Sequence, residues 1–191
     1  MKIGILGGTF DPLHQGHLQL ARAAKTQYGL DKVIFMPAFI PPHKAAHRDL
    51  TPAPYRLRMV QLAVQGEAGF EAGDLELNRP EISYTVDTLR ALEGLYPKAS
   101  FYLILGADAA AGMRDWKEPE EIFKRAHILA AARPGFSLPG NPKIQTIKMP
   151  SCDLASTALR AAIGRGERPG PEQMPEAVAQ YLFSLNLYHK K

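Results

Sequence analysis

Two histidines three residues apart, His14 and His17, stand at the end of the string Gly7-Gly8-Thr9-Phe10-Asp11-Pro12-Leu13-His14-Gln15-Gly16-His17. Paired glycines permit backbone conformations barred to other residues and leave room for a ligand to approach the chain. A helix opening after them would add free N–H groups and a positive dipole end, both suited to phosphate. If that helix has begun by His14, the two imidazoles share a face. Late in the chain, Leu154-Ala155-Ser156-Thr157-Ala158-Leu159-Arg160 offers two hydroxyls and a guanidinium, with Ser156 a good N-cap for a second helix. Neither string is the Gly-x-Gly-x-x-Gly dinucleotide fingerprint or a Walker A loop. A zinc pair at His14 and His17 would need a further ligand, and no obvious one lies nearby in sequence. Taken singly, these features also fit a tight turn, two satisfied polar residues and a capped surface helix.

The elements that must position them alternate. Lys2–Leu6, Lys32–Met36, Ser100–Leu105, His127–Ala131 and Ile144–Met149 are short runs with branched or aromatic content and are expected as strands, with Phe70–Leu77 a further candidate. Gly16–Tyr28, Pro54–Val64, Tyr84–Leu95 and Glu118–Arg125 have helical patterning, and Ser156–Gly164 and Pro175–Leu185 follow as closing helices. This alternation predicts an α/β, Rossmann-like, doubly wound parallel sheet with helices on both faces. Ligands of such sheets bind beyond the carboxyl ends of the strands, where the first string lies. A chain of 191 residues is expected to form one domain, residues 1–191, with the C-terminal helices of about 156–188 packed on it. The segment 37–54 carries five prolines, and a loop of that length inside a compact domain is usually functional.

Bulk composition narrows the class. The formal net charge of +4 fits a polyanionic ligand, but it is spread along the chain without the basic stripe of a nucleic-acid protein. The only dense basic stretch, His43 to Arg48, falls in the proline-rich loop, where a solvated surface is an equal explanation. One cysteine, Cys152, excludes an internal disulfide framework. No apolar run approaches the ~20 residues of a membrane span, and the apolar stretch at the N-terminus is too short for a signal peptide. A cytoplasmic protein without nucleic-acid or membrane partners is expected, and homo-oligomerisation is left open.

As a whole, Gly-Gly-Thr-Phe-Asp-Pro-x-His-x-Gly-His resembles the signature of the nucleotidyltransferase superfamily that carries an H-x-G-H motif and shares ancestry with class I aminoacyl-tRNA synthetases. The resemblance implies that His14 and His17 contact the triphosphate of ATP, with Gly7, Gly8, Thr9 and Phe10 lining the nucleotide. The late string is similar to the superfamily's Ile-Ser-Ser-Thr-x-Ile-Arg-like motif. Ser156, Thr157 and Arg160 match it and would meet phosphates, whereas Ala155 stands where a first serine is usual and brings no hydroxyl.

Further segments single out a subfamily. Pro41-Pro42-His43-Lys44, Ile82-Ser83-Tyr84-Thr85-Val86-Asp87-Thr88-Leu89, Gly106-Ala107-Asp108, Trp116 and Ala132-Arg133-Pro134-Gly135 closely resemble bacterial nicotinate-nucleotide adenylyltransferases, from residue 1 to about 185. This implies joining of nicotinate mononucleotide to the AMP part of ATP, with Mg²⁺ carried on the substrate phosphates. Thr85 and Trp116 would hold the nicotinate ring. Gly106 and Asp108 would meet the adenine nucleotide, with Asp108 contacting a ribose hydroxyl or holding the loop. Lys44 and Arg133 are candidates for the mononucleotide phosphate or the triphosphate, Lys44 also in catalysis beside His14, His17 and Arg160. The competing expectations are nicotinamide mononucleotide or phosphopantetheine as acceptor, or a nucleotide sensor that has lost catalysis.

Overall fold

The computed structural model describes residues 1–42, 50–131, 141–150 and 152–189. Six strands, β1 (Lys2–Gly8), β2 (Lys32–Pro37), β3 (Phe70–Ala72), β4 (Ser100–Gly106), β5 (Ala126–Ala131) and β6 (Ile144–Ile147), form one sheet in the order β3-β2-β1-β4-β5-β6. Every neighbouring pair is parallel. The helices are α1 (Gln15–Tyr28), α2 (Ala53–Val64), α3 (Thr85–Leu95), α4 (Ala107–Ala111), α5 (Pro119–Arg125), α6 (Ser156–Gly164) and α7 (Glu176–Ser184).

The central strands are near-continuous apolar runs because both of their faces are covered. Alternate residues feed two cores. Leu6, Val33, Phe35, Ile104 and Leu129 point to the face packed by α1, α2, α6 and α7. Ile3, Ile5, Ile34, Met36, Leu103, Leu105 and Ile128 point to the face packed by α3, α4 and α5. The two C-terminal helices thus contribute Leu159, Ile163, Val178 and Leu182 to the first core. This is the doubly wound, Rossmann-like sheet expected from the alternation.

Four differences from the expected elements have local causes. The run Phe70–Leu77 is a strand only to Ala72; beyond Gly73 the chain turns, with the Leu77 and Asn78 N–H groups donating to the Asp74 carbonyl. The last strand stops at Ile147, and the Lys148 N–H turns away to the Gln27 side chain at 2.9 Å. The alanine-rich helix α4 and a 3₁₀ turn at Met113–Asp115 fill the stretch after Gly106 that had no assignment. Ser156 is the first residue of α6 rather than its cap; Ala155, in extended conformation, is the N-cap.

The topology places a crevice between β1 and β4, the neighbours from which the chain winds in opposite directions. The first histidine string leaves β1 at that point, and Gly106 leaves β4 beside it.

Candidate active site

A cleft of about 360 Å³ opens there, lined by Gly7 at the end of β1, His14 and His17 at the start of α1, Gly106 and Asp108 after β4, and Ala155 and Ser156 at the start of α6. A methyl group built on Gly7 would meet nothing within 4 Å, so this strand end is open. Gly16 is the opposite case: a side chain there would lie 2.8 Å from the Cys152 sulfur and 3.0 Å from His14 Nδ1. Only glycine lets the first turn of α1 approach the segment ahead of α6 so closely.

His14 is extended (φ −143°, ψ 171°), so α1 starts one residue after it. The shared face therefore comes from stacking rather than from helical spacing. The two imidazole centroids are 3.8 Å apart with planes tilted by 34°. The His14 N–H donates to His17 Nδ1 at 3.2 Å, which leaves the ring proton of a neutral His17 on Nε2. Burial, then the neighbouring His14, holds the His17 pKa well below the ordinary 6.5. A neutral imidazole with a committed acceptor and a free donor is the result.

Phe10 does not line the cleft. Its backbone is left-handed (φ 50°), and this turns the ring into the core. There it meets the His17 ring edge-on at 5.1 Å and Phe35 at 6.0 Å. There the side chain supports His17, so only the backbone of Phe10 is left to line a nucleotide.

Of the late string, Ser156 reaches the cleft while its hydroxyl donates to the Pro12 carbonyl at 2.9 Å. Arg160 donates to the Asp11 carbonyl and, at 3.4 Å, to the Thr157 hydroxyl, which is otherwise exposed. Ala155, where the resemblance expects serine, places no side-chain acceptor over the start of α6. The first N–H groups of that helix adjoin the cleft without a side-chain cap, an arrangement suited to anions.

Asp108 is exposed beside Gly106, where a side chain would come within 2.9 Å of Asp108 Oδ1. Thr85 opens α3, whose N-cap Tyr84 makes no side-chain capping bond. Trp116 follows the 3₁₀ turn and, like Tyr84, packs against the second core. Neither Thr85 nor Trp116 lines the histidine cleft. The entry to α3 is held firmly: the Ser83 N–H donates to the Ile40 carbonyl, and the Ser83 hydroxyl accepts from the Phe39 N–H, both at 2.9 Å. Beneath it, buried Glu76 accepts from the Thr88 hydroxyl at 2.7 Å, and burial raises its pKa. Lys44 and Arg133 lie outside the described residues. Among the described residues, no group of three His, Cys, Asp or Glu side chains could hold a metal ion.

Two features escaped the sequence. Arg56 interrupts the apolar face of α2 formed by Met59, Val60 and Ala63, and its side chain is wholly buried. It donates to the carbonyls of Thr51 (2.7 Å), Thr9 (2.9 Å), Ala38 (2.6 Å) and Phe39 (2.9 Å), tying the loops after β1 and β2 together. Asp11, also buried, accepts from the Thr51 N–H at 3.3 Å and from the Tyr188 hydroxyl. Spacing puts Arg56 on the apolar face of its helix, and Asp11 stands inside the first string, but neither position says what the side chain binds.

Comparison with known proteins supplies the context. Residues 5–162 match a family described as cytidylyltransferase-like. The chain is 40% identical, over 98% of its length and 99% of the relative's, to a protein of Exiguobacterium sibiricum named "Probable nicotinate-nucleotide adenylyltransferase". A protein of the same name from Desulfitobacterium hafniense is also 40% identical, over 98% of this chain and 95% of the other. In architecture it is similar to Plasmodium falciparum nicotinic acid mononucleotide adenylyltransferase complexed with NaAD, with a TM-score of 0.82 at 20% identity over 98% of this chain and 97% of that one.

Proposed function

The chain belongs to the cytidylyltransferase-like family and, within it, to the nicotinate-nucleotide adenylyltransferases, and from that premise we propose that it transfers AMP from ATP to nicotinate mononucleotide, giving nicotinate adenine dinucleotide and pyrophosphate. The observation that carries this is the cleft at the sheet's switch point, where a neutral donor histidine stacked on a second histidine stands near the uncapped start of α6.

The attacking group is the 5′-phosphate of the mononucleotide. A phosphate monoester has a second pKa near 6 and is mostly dianionic at neutral pH, so no general base is required. One of its oxygens bonds to the α-phosphorus of ATP as the bond to the bridging oxygen of pyrophosphate breaks. The barrier lies in bringing two polyanions together and in the charge that grows on the leaving group. Fixed donors lower it by positioning and electrostatics. His14, His17, Arg160, Ser156, Thr157 and the α6 N–H groups take the triphosphate in this scheme. Gly7 and Gly106 leave room for the nucleotide, Gly8 makes room for the Phe10 ring and brings its backbone to the same loop as Thr9, and Asp108 takes a ribose hydroxyl. Lys44 and Arg133 take the mononucleotide phosphate or the triphosphate, and Lys44 joins the catalytic set. Thr85 and Trp116 hold the nicotinate ring.

The cleft's donor set of imidazoles, backbone N–H groups and one exposed carboxylate suits Mg²⁺ that arrives on the phosphate oxygens. When bound, Mg²⁺ neutralises phosphate charge. No helix among the described residues is long and apolar enough to cross a membrane, and in this proposal the reaction is a cytoplasmic step of NAD biosynthesis. The test is a parallel pyrophosphate-release assay of ATP and Mg²⁺ with nicotinate mononucleotide, nicotinamide mononucleotide and phosphopantetheine. Fast release with the first alone is expected. Release with only phosphopantetheine, or none at all, would overturn the assignment.

A further inference from the structure

Three carbonyls in the loop after β1 are gripped by side chains from remote parts of the chain: Arg56 holds Thr9, Arg160 holds Asp11 and Ser156 holds Pro12. The Asp11 carboxylate is the fourth point of attachment. It is 3% exposed, accepts from the Thr51 N–H on one oxygen, and on the other accepts from the hydroxyl of Tyr188, 177 residues away. The Thr51 hydroxyl in turn hydrogen-bonds Tyr188, and the buried Arg56 guanidinium is close enough to interact with both Asp11 and Tyr188. Tyr188 sits at φ 67° and Asn186 at φ 51°. A bulky residue in the left-handed region is an outlier that persists only where its surroundings over-determine it. Here the surroundings are the first core, against which the tyrosine ring packs, and the bond to Asp11.

Neither Asp11 nor Tyr188 lines the cleft. Three residues beyond Asp11, however, comes His14. We propose that Tyr188 is a positioning residue of the ATP site: its hydroxyl, through the Asp11 carboxylate, sets the loop that presents His14 and the carbonyls on which Arg160 and Ser156 are seated. This rests on the cleft being the ATP subsite. A donor on a buried carboxylate is a strong orienting contact, because the charge has no water to turn to. Loss of the hydroxyl would free Asp11 to swing, and the histidine pair would follow the loop.

The test is Tyr188→Phe in the full chain, which keeps the ring and deletes the hydroxyl. A kcat about tenfold or more below wild type, with a raised KM for ATP, is expected, since small misplacements of binding groups cost up to about a hundredfold. The KM for nicotinate mononucleotide should stay within about twofold. Ile128→Val, a truncation in the opposite core, controls for lost stability and should leave both KM values unchanged. Affinity for a non-hydrolysable ATP analogue, measured by calorimetry, should fall in Tyr188→Phe whichever acceptor the enzyme uses. A wild type that binds the analogue but does not use nicotinate mononucleotide would defeat the acceptor assignment and leave this comparison decisive. Wild-type analogue affinity and kcat in Tyr188→Phe would overturn the proposal, as would a loss that affects both substrates equally and tracks the unfolded fraction. Thr51→Val, which removes only the second hydroxyl, should shift the same quantities in the same direction by less, and it carries the test if Tyr188→Phe does not fold.

Discussion

At the scale of single residues, His17 does two things that pull against each other. It must stay neutral to accept the His14 N–H on Nδ1, and the packing that keeps it neutral destabilises the fold in acid. Its folded pKa lies below the unfolded value of about 6.5. As pH falls through that unfolded value, the unfolded chain binds a proton that the folded chain refuses, so stability declines toward the folded pKa and is restored above 6.5. Thermal melts should therefore show a larger drop in Tm from about pH 7.5 to about pH 5.5 for wild type than for His17→Asn. Equal drops would mean that the imidazole protonates freely. His17→Ala should keep the fold and lower kcat by about a hundred- to a thousandfold, the usual loss for one donor to developing charge. A turnover within a few-fold of wild type would remove His17 from that role. The histidine pair was legible because the motif is contiguous. The inward turn of the Phe10 ring was not legible, because membership of the string says nothing of where a left-handed φ sends a side chain.

At the scale of elements, the start of α3 and Trp116 form the proposed nicotinate subsite. Nicotinate and nicotinamide differ by a carboxylate against an amide, and uncapped helix N–H groups with a positive dipole end favour the anion. An amide would bring its own donors against those of the helix, a mismatch that discriminates strongly. Stacking on an indole is insensitive to that difference, because both rings carry the same pyridinium charge. In kcat/KM measurements, wild type should prefer nicotinate mononucleotide. Trp116→Ala should raise KM for both ligands with their ratio largely kept. Equal wild-type values would refute the carboxylate contribution, and loss of one ligand alone would refute the stacking. Strand and helix order was readable because strands buried on both faces must be apolar throughout, as Ile3 to Leu6 and Leu103 to Leu105 are. The strand ends at Gly73 and Lys148 lie where apolar or β-prone residues continue after the chain has been redirected, by a local turn at Asp74 and by the Gln27 side chain at Lys148. A five-residue helix such as α4 is too short to show a period.

At the scale of the whole molecule, the buried guanidinium of Arg56 fastens the loops of β1 and β2 to the start of α2. Arg56→Met, which fills the space without the donors, strands four carbonyls and removes the cation facing Asp11. A loss of about 3–5 kcal/mol is expected from urea denaturation, the range for removing one member of a buried charged set. A change below about 1 kcal/mol would show that water replaces the guanidinium. Spacing already sets Arg56 on the helical face of Met59, Val60 and Ala63, and Arg58 off it, but which carbonyls Arg56 meets was not legible, because they come from loops that only the assembled sheet brings together. The hold of Tyr188 on Asp11 spans 177 residues, and that of Ser156 on Pro12 spans 144. A ribosome making this chain at 5–20 residues per second would release the histidine loop roughly 9–35 s before Tyr188. If the string binds phosphate and Tyr188 braces it as proposed, the nascent protein would carry the site without its brace through that interval, so nucleotide affinity would be a late reporter of synthesis and a truncated product a poor competitor for ATP.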